Sequence, residues 1–312
     1  MDVILHIGAH RTGTTTLQRF LNTNRGVLKA NGIAFWGPGK TRGGLFTGLI
    51  KAPDKLTRDD HRRARRARGL IAIEISRLEA QGFHTLIVSE ENMNGGLTHC
   101  AKSGVLYPQA WARMSRVAEA FQPYPTRVAL GIRSYERHWG SVLAFCLKQG
   151  HAPPNAAALH AMTIQPRRWS HLVSDMAMAF PDADRVVWPF EALIGLPEVQ
   201  LSALLGRKLD LRFQATREWH HSSLPQEELR KLLHEQGAPP EVLSRLGFGS
   251  GRWLPFSETQ NAKMRLDYAE DLTWLRAGAD GLASYIEGPE DIEGSVRPGR
   301  GLHYDERKTG VG

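Results

Sequence analysis

Cysteine is scarce in this chain: only Cys100 and Cys146 occur in 312 residues, far apart and outside any Cys-x-x-Cys pair. That excludes a disulfide framework and argues against a structural zinc site, so a reducing cytoplasm is the expected compartment. Long hydrophobic runs are missing too. No stretch approaches the ~20 apolar residues that cross a bilayer. The first apolar run stops at Ala9, with neither a basic leader nor a cleavage pattern. There is no His-Glu-x-x-His pair, no Gly-x-Ser-x-Gly elbow, no EF-hand loop and no internal repeat. Zinc proteolysis and serine hydrolysis therefore have no residues to stand on.

What remains is an ordinary globular composition, 41% hydrophobic and 23% charged. The length suits one large α/β domain or two smaller ones. A formal charge of +8 favours anionic partners without saying which kind. Part of the excess is local: Arg58, Arg62, Arg63, Arg65, Arg66 and Arg68 crowd one expected helix start. They read either as a solvated helix face or as a rim that attracts anions.

Five short apolar runs, at 3–7, 33–36, 85–89, 127–132 and 185–188, read as buried parallel strands separated by helical patterns. Leu17, Phe20, Leu21 and Leu28 share one face of a first helix that Asn31 and Gly32 end. The alternation predicts a doubly wound, mainly five-stranded parallel sheet flanked by helices, with its ligand site at the C-terminal strand edges. One domain is expected over 1–286, with cap insertions near 37–68 and 151–170. Residues 287–312, poor in apolar side chains, are expected to form a mobile tail.

The segment from Val3 to Leu21 carries the strongest chemical signal. A strand enters the turn Gly8-Ala9-His10-Arg11-Thr12-Gly13, and Thr14, Thr15 and Thr16 open a helix. Backbone amides converge at such a turn and the helix dipole adds partial positive charge, which is how phosphate is held. The spacing between Gly8 and Gly13 is that of a P-loop, but Thr14 stands where an NTPase carries lysine. His10 stands where a dinucleotide fingerprint needs glycine. The remaining reading is an anion cradle of loop amides, the Thr12, Thr14 and Thr15 hydroxyls and the Arg11 guanidinium.

The run His6-Ile7-Gly8-Ala9-His10-Arg11-Thr12-Gly13-Thr14-Thr15-Thr16-Leu17-Gln18 resembles the 5′-phosphosulfate loop of sulfotransferases that use 3′-phosphoadenosine 5′-phosphosulfate (PAPS), bacterial ones especially. Arg11 replaces the family lysine, keeping the charge on a longer side chain that does not lose its proton. A second resemblance is independent. Arg133 ends a strand, and Ser141 lies eight residues on in the following helix, the family's arrangement for the 3′-phosphate.

The resemblance implies sulfuryl transfer from PAPS to a hydroxyl or amine of a glycan, lipid headgroup or small metabolite, releasing adenosine 3′,5′-bisphosphate. It also implies that Arg11, Thr12, Gly13, Thr14, Thr15 and Thr16 hold the 5′ end, and Arg133, Ser141 and Arg252 the 3′-phosphate. Glu91 matches the family's strand-end base, with Glu90 and His138 as alternatives. No nucleic-acid partner is expected. Two other classes stay open: a kinase or ATPase on a degenerate P-loop, with Glu90 and Glu91 imitating a magnesium site, and a non-catalytic polyanion binder using the Arg58 to Arg68 cluster.

Overall fold

The computed structural model describes residues 1–215 and 224–295. Six strands form one sheet in the order β2-β3-β1-β4-β5-β6: β1 Asp2–His6, β2 Ile33–Trp36, β3 Thr85–Ser89, β4 Pro125–Ile132, β5 Asp184–Pro189 and β6 Ser284–Tyr285. Every pairing is parallel. The five expected strands are present within a residue or two. The sixth escaped notice because two residues leave no apolar run to read.

Parallel strands buried on both faces split their side chains between two cores, residue by residue. Val3, Leu5, Leu86, Val88, Val128, Leu130 and Val187 face one core. Ile4, Ile87, Ala129, Val186 and Trp188 face the other. The helices Arg58–Ala80, Ala110–Phe121, Tyr135–Lys148, Trp169–Ala179 and Glu258–Arg276 cover the first face, and Thr14–Thr23 and Pro197–Leu205 the second.

Three departures from the expected organisation have local causes. The first helix is two, Thr14–Thr23 and Arg25–Ala30, because buried Asn24 turns its side-chain amide onto the carbonyls of Phe20 (2.9 Å) and Gln214 (2.9 Å). Residues 58–68, expected within an insertion, already belong to the helix Arg58–Ala80. A capping box between Thr57 and Asp60 starts it. At the C-terminus, Pro289–Ser295 forms a 3-10 helix whose Ile292 is buried in the second core. The rest of the expected tail lies outside the described residues.

Strand order fixes where a ligand can sit. After β1 the chain leaves for β2 on one side of the sheet, and after β4 for β5 on the other. The crevice at their carboxyl ends is therefore a topological switch point. The turn after β1 and Arg133 at the end of β4 stand on either side of it.

Candidate active site

A cleft of about 560 Å³ opens there, large enough for a nucleotide. Among the described residues its charged lining is one-sided: Arg11, Arg42, Arg133, Lys148 and Arg252 against one carboxylate, Glu91. Apolar side chains at Phe190, Ile194, Leu224 and Leu229 also line it.

The turn after β1 is shaped by its own side chains. Thr12 Oγ1 donates to the Ala9 carbonyl at 2.6 Å, and Thr14 Oγ1 donates to the same oxygen at 3.0 Å. Both threonines are buried, so their protons close the loop rather than face a ligand. The Ala9 carbonyl thus engages both hydroxyl protons, while Thr14 still lines the cleft. Thr15 and Thr16 line the cleft, beside first-turn amides that have no carbonyl to bond within their own helix.

Two glycines are required by shape. Gly13 caps the helix at φ 81°, and Gly8 sits at φ 97° where a Cβ would stand 2.8 Å from that of Glu91. Between them Arg11 also has positive φ, 64°, and the Arg133 guanidinium holds its carbonyl at 2.9 Å.

Two groups of residues that the sequence presents as separate sites meet here. Arg11 Nε donates to Ser141 Oγ at 2.7 Å, while Arg133 bonds the Arg11 backbone. The Arg133 guanidinium lies 4.6 Å from the centre of the Phe190 ring, and its Nε is buried without a partner. Burial, together with the nearby Arg252 and Arg11, pushes its pKa down to about 10 despite the attraction of Glu191. Burial and Arg252 also lower that of Arg11. Glu191 sits behind this cluster, accepting from the Ser134 amide (3.1 Å) and from the Tyr268 hydroxyl (3.0 Å). Arg133 is further fixed by its own carbonyl, which accepts from Trp169 Nε1 at 2.8 Å.

Glu90 and Glu91 part company. Glu90 is fully buried and accepts from Thr41 Oγ1 (2.6 Å), Arg42 Nε (2.9 Å) and both the amide (3.1 Å) and the side chain (2.7 Å) of Asn92. With its lone pairs taken and no face on the cleft, it anchors the turn and is not placed to act as a base. Glu91 does line the cleft. Its Oε1 takes Arg42 Nη2 at 2.8 Å and its Oε2 takes Gln18 Nε2 at 3.1 Å. Burial alone would raise the Glu91 carboxyl, but the attraction of His10 and of Arg42 outweighs it and holds it below its ordinary range. Arg42 is the lasting cause, because burial keeps the His10 imidazole itself neutral near pH 7. A guanidinium therefore occupies the place between the two glutamates where a magnesium ion would have to sit.

His138, the other candidate base, is fully buried with both ring nitrogens unpartnered, packed against Tyr107, Trp139 and Trp169. It does not reach the cleft. Arg252 does, although its loop forms only one backbone bridge, to Pro225. No residue of 151–170 lines the cleft, and of 37–68 only Arg42 does.

Sequence reading missed His10, Gln18 and Arg42. His10 appeared only as a residue that breaks a glycine pattern. In the fold its Nδ1 lies 3.1 Å from the Tyr107 hydroxyl, which also accepts from the His10 amide at 2.9 Å. Gln18 had a signal, its position one turn into the helix after the threonines. Arg42 had none, since nothing in a glycine-rich loop after β2 marks it as facing the end of β3.

Buried neutral histidines give the site a pH dependence. His6 stacks on Trp188, lies 2.8 Å from Ser89 Oγ, and has its pKa lowered by burial to about 4, partly opposed by Glu91. His10 and His138 shift the same way. Above pH 6.5 these rings are neutral folded or unfolded and contribute nothing. Below 6.5 the unfolded chain takes up protons that the folded one refuses, so stability falls with pH. For His6 alone the loss reaches about 3 kcal/mol by pH 4. Urea unfolding from pH 7.5 to 4.5 should show this decline, shallower in His6→Gln. A flat profile contradicts the burial argument.

Searches of family models, of curated proteins and of solved structures found nothing that matches this chain.

Proposed function

We propose that the cleft binds an adenine nucleotide phosphorylated at both its 3′ and 5′ ends, and that the chain is a PAPS-dependent sulfotransferase. The observation that carries this reading is the meeting of Arg11, Arg133, Ser141 and Arg252 beside an open helix start, across from one ionised carboxylate. The residues fit such a ligand. Arg133 has a buried, unpartnered Nε and a guanidinium destabilised by burial and by the neighbouring Arg252, Arg11 and Arg137, a deficit that a phosphate relieves. The apolar side chains in the lining, Leu229 among them, suit a purine. In this reading the P-loop-like turn takes the 5′ end.

The bound donor supplies an activated sulfuryl group, which forms an S–O or S–N bond to the acceptor as its bond to the 5′-phosphate oxygen breaks. Arg133, Ser141 and Arg252 fix the 3′-phosphate. Arg11 and the first-turn amides meet the charge left on the departing phosphate. Glu91, ionised and held by Arg42 and Gln18, accepts the acceptor proton on a carboxylate oxygen. Arg42 keeps this base weak, which suits a proton that leaves late.

Incubation with sulfur-labelled PAPS and pooled glycan, lipid and small hydroxyl or amine acceptors tests this reading. Acceptor-dependent release of adenosine 3′,5′-bisphosphate, lost in Glu91→Gln, supports it. Magnesium-dependent ATP hydrolysis with no use of PAPS contradicts it.

A further inference from the structure

The arginine cluster does not enter the cleft. It lies along the helix Arg58–Ala80, whose Ala67, Ile71 and Ile75 face the core. Three ion pairs tie this helix to the body: Lys51 to Asp60 (2.6 Å), Lys40 to Glu74 (2.7 Å) and Arg68 to Glu119 (3.4 Å). The opposite face is exposed. Arg62, Arg66, Leu70, Ile73 and Arg77 follow one another at helical spacings of four, four, three and four, so they make a single stripe. Leu70 is 40% exposed and Ile73 51%.

Acidic neighbours offset only part of the charge. Asp59 pairs with Arg62 (3.0 Å) and Arg63 (2.9 Å), and Glu74 with Arg77 (2.9 Å). Among the described residues no carboxylate pairs with Arg58, Arg65 or Arg66.

Arginines at both ends of a stripe with two exposed aliphatic side chains between them form the pattern of an interfacial helix. A polyanion dissolved in water gains from the arginines and nothing from Leu70 or Ile73. A lipid surface gains from both, since the guanidinium stems can lie along it with their heads at the phosphates. A second copy of the chain would bring arginine against arginine. Single-stranded nucleic acid would call for exposed aromatic side chains here, and the exposed Trp111 and Phe248 lie outside this helix.

The geometry points to this helix face as a docking surface for an anionic bilayer, with Arg58, Arg62, Arg65 and Arg66 engaging lipid phosphates and Leu70 and Ile73 entering the headgroup boundary. This surface is independent of the cleft, so its test stands whether or not the donor site holds PAPS.

Sedimentation of the full chain with phosphatidylcholine vesicles, with and without phosphatidylserine, reads it out. The expected result is binding that needs the anionic lipid and weakens with salt. Each arginine contributes roughly fivefold to partitioning, so the triple variant R62E/R65E/R66E should lose about 10²-fold or more. The double variant L70S/I73S should weaken binding while leaving its salt dependence unchanged. Lys231→Glu, on the separate helix Gln226–Glu235, should bind as the parent does. These positions are exposed, so unfolding midpoints should stay near the parent's. Equal binding to neutral vesicles overturns the proposal. So does indifference to L70S/I73S alongside tight binding to heparin or duplex DNA, or a salt-stable dimer that Leu70→Ser breaks.

Discussion

Arg11→Ala is expected to lower turnover with PAPS by about 10³-fold, the size of effect seen when a donor to developing negative charge is removed. Arg11 is the one cation carried on the turn after β1 itself, and positive φ, the bond from Arg133 and its own bond to Ser141 fix its backbone and side chain. Arg11→Lys should retain part of the activity, since the charge survives and the planar fork does not. In the proposed reaction the charge that Arg11 meets develops as the S–O bond breaks, so affinity for PAPS itself should fall far less than turnover in both variants, whereas adenosine 3′,5′-bisphosphate, which already carries that charge, should also bind more weakly. Steady-state kinetics beside equilibrium binding separate the two quantities. Parental turnover in Arg11→Ala refutes this role, and equal losses in PAPS affinity and turnover reduce it to simple binding.

The second large effect concerns affinity. Arg133→Met, which fills similar space without charge, should weaken bisphosphate binding about 10²-fold, in line with the loss of hydrogen bonds to a charged group. The same change should leave the free protein as stable as its parent or more so. At neutral pH the Arg133 guanidinium is protonated in both folded and unfolded chains, yet its folded pKa is depressed to about 10. Its charged form is therefore disfavoured in the fold by about 3 kcal/mol, a cost relieved only as pH rises through 10. Removing the charge removes this cost, set against the loss of one bond to the Arg11 carbonyl. A variant that loses both affinity and stability would show Arg133 to be a structural residue.

Much of this site was legible in the sequence because its parts are local. A turn bounded by Gly8 and Gly13 and a hydroxyl-rich helix start need only neighbouring residues, and β1 through β5 announce themselves as apolar runs. The grouping of Arg133 with Ser141 came from the family resemblance, and in the fold Arg11 is the link between them, bonding Ser141 with its side chain and Arg133 with its carbonyl. What spacing does not contain is who competes for a hydrogen bond. Thr12 and Thr14 have the right chemistry for an anion, yet the Ala9 carbonyl is nearer and takes both. Glu90 and Glu91 are adjacent and chemically alike. The strand ends at Ser89 and a 3-10 turn begins at Glu91, so one side chain turns in toward Thr41 and Arg42 and the other reaches the cleft.

Arg42, Gln18 and His10 form a constellation only because β2, β1 and the turn after β1 end near the same point as β3. Chain order hides that proximity, and β3 lies between β1 and β2 in the sheet. The position of 151–170 relative to the cleft is hidden for the same reason. A proline-rich composition marks a loop but not the side of the sheet on which it lies, and the cleft is bordered instead by Leu224, Leu229 and Arg252.

Calorimetric titration of the purified chain with adenosine 3′,5′-bisphosphate, with adenosine 5′-monophosphate and magnesium–ATP as comparisons, tests the central claim most directly. The account predicts tight binding of the bisphosphate, binding of the monophosphate weaker by about the 10²-fold that the 3′-phosphate contributes, and no preference for ATP. Binding of magnesium–ATP with indifference to the 3′-phosphate would contradict it, and would assign the turn after β1 to a nucleoside triphosphate.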